Sequence, residues 1–370
     1  MKIVISPDKF KGSLAANEVA KAIEKGVRAA NKSLFCLILP LADGGEGSLE
    51  VVSQKLSGHW QKVIVNDPLF RRIEATYFLA ENMAYIEMAK ASGLMLLAES
   101  ERNCMLTSTF GTGELIKDAI EKGAKIINLF IGGSATNDAG IGMAAALGYQ
   151  FFDAKNEILK PTGANLCKIF KIKNTDIGIE NIKFKVICDV KNPLFGKNGA
   201  AFVYAAQKGA NAQMIQDLDE GLKHFNEIIL KIRGINLQNI ESSGAAGGLG
   251  GGAIAFLNAG IKSGIDFMMD LVGFEEQLRD ADLVITGEGK LDKQTLQGKL
   301  IKGICEKTKE IPVWVVCGVN TLTENEWKEI GIQKVISLVD ENTSVEAAMQ
   351  NTSQLITEKI YKVFNSYGKI

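Results

Sequence analysis

KIVISPDKFKGS, residues Lys2–Ser13, holds a short apolar run that stops at a polar, glycine-containing turn. The run is too short for a helix and is rich in β-branched residues (Ile3, Val4, Ile5), so it reads as a buried strand. Four further segments repeat the pattern. FCLIL (Phe35–Leu39) runs into PLADGGEGS, INLFI (Ile127–Ile131) into GGSATND, FKVI (Phe184–Ile187) into CDVKNP, and DLVI (Asp282–Ile285) into TGEGKLD. Short apolar runs followed by helical patterns read as parallel strands of βα units, whose carboxyl ends form the edge where such sheets bind ligands. A functional site is therefore expected in these five turns.

Working outward, Leu14 to Ala30 places Val19, Ile23 and Val27 on one helical face, with Ser13 as the expected N-cap. The first sixty residues then read strand, helix, strand, helix, which is too little for a domain. The other chain end supplies strands at Leu283–Ile285, Val313–Val316 and Val335–Leu338 and a helix at Leu300–Lys309. Both ends are expected to share one parallel sheet, in a discontinuous α/β domain of residues 1–60 plus 283–370. Residues 61–282 would be an inserted α/β domain, since a fold accepts a large insertion where the ends of the insert lie close together. IEATYFL (Ile73–Leu79) and AYIEM (Ala84–Met88) suggest a hairpin, so the inserted sheet is expected to be mixed.

The composition narrows the function classes. The chain has 370 residues, 46% apolar and 23% charged, which fits a globular protein of about two domains. With 42 basic against 43 acidic residues and no charged block, nothing points to nucleic acid or a membrane surface, and the expected partner is a small molecule. The six cysteines are scattered with no C-x-x-C pair and read as reduced core thiols. Few apolar residues precede Ser6, and no apolar stretch approaches the roughly 18 residues of a membrane span, so a cytoplasmic location is expected. Monomer and homo-oligomer both stay open.

Several common catalytic motifs are missing. There is no G-x-x-x-x-G-K-[ST], H-E-x-x-H or G-x-S-x-G, and the only histidines, His59 and His224, read as surface or structural residues. Anion cradles and carboxylates remain. Gly132 and Gly133 would let the backbone approach a ligand, Ser134 and Thr136 add hydroxyls, and Asn137 or Asp138 would open the following helix. The alternative is a tight strand-to-helix turn with an ordinary cap. In GAAGGLGGGAIAFLNAG (Gly244–Gly260), Gly248, Gly250 and Ala253 imitate a dinucleotide fingerprint without a preceding strand, so a flexible phosphate-covering loop is the better functional reading, with close helix packing as the alternative. Asp189 stands where a predicted strand ends, Asp292 follows TGEG and Asp43 sits in ADGGEG, with Lys9 and Lys11 in the first turn and Lys299 after QTLQG. Any one carboxylate could simply satisfy a turn. Together, acids, lysines and glycine cradles are what metal-assisted phosphoryl transfer requires, because catalysis there is mainly positioning and charge neutralisation.

ISPDKFKGSL, PLADGGEGS, GTGELI, IGGSATNDAGIGM, CDVKNPLFG, GAAGGLGGG and VITGEGKLDKQTLQGK, in this order over essentially the whole chain, resemble the bacterial glycerate kinases of the first type. The resemblance implies two different α/β domains, one Rossmann-like, and ATP-dependent phosphorylation of D-glycerate in the cytoplasm. It also favours the 2-hydroxyl over the 3-hydroxyl as acceptor. On that reading the donor is ATP with Mg2+, and its phosphates lie against Gly132, Gly133, Ser134, Gly248, Gly250 and Gly251. Asp189 is the expected base. Lys9 and Lys11 would hold the substrate carboxylate or the migrating phosphoryl group, with Ser13, Asp43 and Gly44 on the substrate and Glu288 and Asp292 on the metal. A nucleotide- or sugar-phosphate-binding regulator without turnover is the alternative, and a dehydrogenase is disfavoured by the strandless glycine loop.

Overall fold

The computed structural model describes residues 1–42, 44–45, 47–174, 178–297 and 300–367. Among them the strands are, in chain order, β1 (Lys2–Ile5), β2 (Phe35–Ile38), β3 (His59–Asn66), β4 (Arg72–Ala80), β5 (Met83–Glu87), β6 (Ile126–Phe130) and β7 (Gln150–Phe152). They continue with β8 (Lys171–Lys173), β9 (Lys183–Ile187), β10 (Gly260–Lys262), β11 (Leu283–Leu291), β12 (Val313–Asn320) and β13 (Ile332–Ser337). The chain divides into two compact units, Met1–Asp43 with Gly264–Ile370, and Gly44–Ser263.

In the first unit both chain ends build one five-stranded sheet, ordered β13-β12-β11-β1-β2, with every neighbouring pair parallel. Counting its strands in chain order gives 2-1-3-4-5, a doubly wound arrangement whose switch point lies between β1 and β11. On one face Ile3, Ile5, Leu283, Ile285 and Val316 pack against Val19, Ile23 and Val27 of the helix Ala16–Ala30 and against Ile356 and Ile360 of the helix Thr352–Tyr367. The alternate residues Val4, Val284 and Val315 point to the other face and are also fully buried. Burial on both faces explains why these strands are continuous apolar runs, each large side chain contributing about 1.5–3 kcal/mol.

The second unit carries a six-stranded sheet ordered β10-β9-β6-β5-β4-β3. The pairs β3–β4 and β4–β5 are antiparallel, whereas β5–β6, β6–β9 and β9–β10 are parallel, so the sheet is mixed. The hairpin expected around residues 80–83 is present, with Leu79 opposite Ala84. A separate antiparallel pair, β7–β8, lies outside this sheet. No helix among the described residues is long and apolar enough to cross a membrane. All six cysteines are free thiols, five of them buried and Cys167 exposed.

Three expectations need correction. Residues 44–60 belong with the second unit and residues 264–282 with the first. The buried Glu87 carboxylate at the end of β5 accepts from Leu49 N (3.0 Å) in the first turn of the helix Ser48–Lys55, while Ile265 of the helix Gly264–Val272 packs against Gly303 of the helix Leu300–Thr308. The supposed turn TGEGKL is strand: β11 runs on to Leu291 because β12 is nearly as long and pairs with it as far as Leu291 opposite Asn320. Finally, the first helix begins at Ala16, capped at Ala15, whose N–H donates to Glu18 Oε2 (3.0 Å). Ser13 is drawn away from that helix start by the far end of the chain, its hydroxyl donating to Met349 O (3.2 Å) and lying 2.5 Å from Thr352 Oγ1.

Candidate active site

The carboxyl edge of the first unit's sheet encloses a cavity of about 410 Å³ lined by Asp8, Lys9, Lys11, Ser13, Glu288 and Asp292 among others. The lysines come from the turn after β1 and the acids from the end of β11, so two neighbouring strands deliver both signs of charge to one place. The expected substrate and metal residues of this half of the sequence are thus brought together. Asp292 pairs with Lys290 (3.3 Å) and accepts from Gln294 N (2.9 Å), while Glu288 accepts from the Thr295 hydroxyl. These bonds fix the segment after β11 so that both carboxylates stay at the cavity wall. Asp43 and Lys299 lie outside the described residues.

The second unit gathers the other expected residues at the carboxyl ends of β6, β9 and β10. Gly44, with φ +79°, belongs to a glycine turn whose Gly45 lies against Gly132, where an added Cβ would come 2.7 Å from the Gly45 Cα. Gly133 also takes a left-handed φ of +77°. Asp189, half-buried just past β9, accepts from Ser263 Oγ (2.8 Å). Gly244 N in turn donates to Asn192 O (3.0 Å), linking the turn after β9 to the glycine-rich segment.

That segment is helical rather than an open loop. It is broken by a left-handed turn over Ala246, Gly247 and Gly248, and its glycines are buried. A Cβ on Gly248 would meet Leu222 at 2.9 Å and one on Gly250 would meet Ser242 O at 2.3 Å, while Gly251 has Ser243 O at 3.2 Å. Close packing within the unit accounts for these three glycines. A cap accounts for the next feature: Asp138, fully buried, accepts from Thr109 N and Oγ1 (2.8 Å each) and from Gly140 N and Gly142 N (3.2 Å each). Burial pushes its carboxyl above the usual range, and these bonds oppose that rise.

A glycerate kinase family model matches residues 3–368. The chain belongs to the glycerate kinase family. It is 42% identical over 362 residues to the glycerate kinase of Halalkalibacterium halodurans, covering 96% of this chain and 95% of that one. It is also 40% identical to the glycerate 2-kinase of Escherichia coli, covering 95% and 93%. A crystal structure of the putative glycerate kinase 2 from Salmonella typhimurium LT2 aligns with a TM-score of 0.85 at 38% identity, covering all of this chain (100%) and 98% of the other. The protein is therefore an enzyme of this family, with the two α/β folds expected of it.

Lys208 is the residue that motif reading missed. It is 3% exposed and donates to Ser134 Oγ and Thr136 O, both at 2.7 Å, so it holds the turn after β6 from beneath. Burial pulls its pKa down to about 8. Ser134, expected to offer its hydroxyl to phosphate, thus already accepts a bond from within the protein. Beside it, the buried Thr136 Oγ1, both side-chain polar atoms of Asn137 and Ser243 Oγ have no hydrogen-bond partner among the described residues. Such groups cost about 1–3 kcal/mol each when left unmet, which is a reason to look for a ligand there.

Proposed function

We propose that the protein transfers the terminal phosphoryl group of ATP to the 2-hydroxyl of D-glycerate, as a cytoplasmic Mg2+-dependent enzyme. The observation that carries this reading is the clustering of Lys9, Lys11, Glu288 and Asp292 around one cavity at the carboxyl edge of a doubly wound sheet. Family membership supports glycerate as the acceptor, and the name of the Escherichia coli relative supports the 2-position.

Lys9 and Lys11 would neutralise phosphate charge, the main demand of a loose phosphoryl-transfer transition state. Asp189, oriented by Ser263, would take the proton of the attacking hydroxyl as the new O–P bond forms and the bond to ADP breaks. No group of three or more acidic, histidine or cysteine side chains suited to a metal occurs among the described residues. Mg2+ needs only one or two carboxylates beside phosphate oxygens, however, so Glu288 and Asp292 fit it, and the bound ion would offset negative charge on the phosphates. Ser13, its hydroxyl already engaged, would hold the Lys9–Lys11 turn in place. Gly44 and Gly132–Gly133 leave backbone close to any ligand at their edge. The unmet groups of Thr136, Asn137 and Ser243 are of the kind that a small hydroxy acid satisfies.

Phosphorus NMR of the product formed from D-glycerate and MgATP tests the assignment. The expected signal is 2-phosphoglycerate. A 3-phosphoglycerate signal would overturn the acceptor position, and the absence of any phosphoglycerate would overturn the reaction.

A further inference from the structure

The turn after β6 is pinned at each residue from Gly133 to Thr136. Leu94 N donates to Gly133 O, Ala135 N to Ser92 O and Thr107 Oγ1 to Ala135 O (2.9 Å each), and Lys208 Nζ donates to Ser134 Oγ and Thr136 O (2.7 Å each). Lys208 is itself fixed: its N–H donates to Ala205 O (3.0 Å), its carbonyl accepts from Cys104 N (3.1 Å), and a Cβ on the next residue, Gly209, would come 1.8 Å from Arg102 O. Both oxygens that receive the ammonium are neutral, so a buried charge is spent where a neutral side chain could have filled the space. An ammonium has one property that no neutral donor shares, because it carries three N–H groups and no acceptor. Ser134 Oγ must therefore accept from it, which turns the hydroxyl proton away from Lys208 and leaves it for another oxygen. The same stretch offers the bare backbone of Gly132 and Gly133, the buried Thr136 hydroxyl and the Asn137 amide, the last two without a hydrogen-bond partner among the described residues. Two ionisable groups act on the ammonium from the segments packed against it, and Arg102 borders the adjoining Gly209. One is Cys104, whose thiol burial pushes up to about 11; the other is Asp138, whose bonds go to Thr109, Gly140 and Gly142 instead.

We infer that Lys208 is a positioning residue: its ammonium locks the Ser134 hydroxyl as a hydrogen-bond donor toward an anionic oxygen of a ligand at the Gly132–Ser134 turn. Lys208 itself does not touch that ligand. The inference rests on the kinase reading above and deepens it, since the anionic oxygen is either the carboxylate of the acid or a phosphate of the donor. Loss of the proton reverses the arrangement, because a neutral amine can accept from Ser134 and draw the hydroxyl inward. Burial lowers the Lys208 pKa to about 8, so the donor state holds below that pH and is lost as pH rises through it.

Steady-state kinetics of the full chain test this, with KM measured separately for D-glycerate and for MgATP from pH 6.5 to 9.5 in wild type, Lys208→Met, Ser134→Ala and the double variant. At pH 7 each single change should raise the KM of one substrate about tenfold or more, as for a lost hydrogen bond to a charged group, with kcat within about threefold. The double variant should be no worse than the weaker single, because both changes remove one interaction. The wild-type KM for that substrate should climb above pH 8 toward the variants' value, while theirs stays flat over the same range. The substrate affected tells carboxylate from phosphate. Should Lys208→Met fail to fold, Ser134→Ala and the wild-type profile decide the matter. If wild type makes ADP with D-glycerate but neither KM changes, both change together, or the two single losses multiply in the double variant, Lys208 is only a structural support and the reaction stands. If wild type makes no ADP with D-glycerate, the kinase reading itself fails, and this role with it.

Discussion

Replacing Lys208 by methionine gives a prediction whose size follows from the structure. The ammonium is 3% exposed and donates to Ser134 Oγ and Thr136 O, with Asp138 and Cys104 the ionisable groups nearest in influence. Burial lowers its pKa from the ordinary 10.5 to about 8. Each factor of ten in proton affinity is worth about 1.4 kcal/mol, so holding the charge costs the folded state about 3 kcal/mol below pH 8. Between pH 8 and 10.5 the unfolded chain keeps the proton while the folded one releases it, so the wild type gains stability from this group as pH rises. Methionine has no such dependence. At neutral pH the variant loses two hydrogen bonds, at about 1–3 kcal/mol for each acceptor left unmet, but escapes the charge penalty, so its deficit is small. Near pH 10 the deficit should be larger by most of that 3 kcal/mol, on the order of 10 °C in melting temperature for a unit of this size. Thermal melts of both proteins from pH 7 to 10 measure the gap. A gap that stays constant, or narrows as pH rises, would refute the picture of a buried, charge-penalised lysine under the turn.

Other substitutions probe the remaining roles. Asp189→Asn keeps an acceptor for Ser263 and should therefore fold normally, yet turnover should fall by about two to four orders of magnitude, as expected for loss of a general base; near-wild-type turnover would reassign that role. Lys9→Ala, at the cavity wall, should depress the rate or raise the substrate requirement with an unchanged melt, whereas early melting would mark it as structural. Gly318→Ala would drive a methyl to 2.5 Å from Gly289 O, and overpacking of that kind costs about 1–3 kcal/mol, visible as a lower denaturation midpoint.

The strands were legible because burial on both faces demands continuous β-branched runs, and β1, β2, β6 and β9 begin and end within a residue or so of the apolar stretches. Their order was not, since pairing β1 with β11 joins residues about 280 positions apart and leaves no local mark. Glycine is ambiguous for one physical reason: a missing Cβ serves close packing as well as ligand approach. Gly287 and Gly289 read as a turn but lie in β11, and of the two readings of Gly248, Gly250 and Gly251, a phosphate-covering loop or close packing, the contacts of these glycines display the second. Lys208, in AAQKGANAQ, looks like any surface lysine, because only the fold brings Ser134 and Thr136 over it. That Lys9, Lys11, Glu288 and Asp292 would come together was legible, because the segments after β1 and along β11 reach the same carboxyl edge of one sheet, where they line one cavity.

The most direct measurement is ADP release by the purified protein with MgATP, with and without D-glycerate. The account predicts ADP formed in equal amount to phosphoglycerate and only when D-glycerate is present. Tight nucleotide binding with no ADP, or ADP formed at the same rate without the acid, would contradict it.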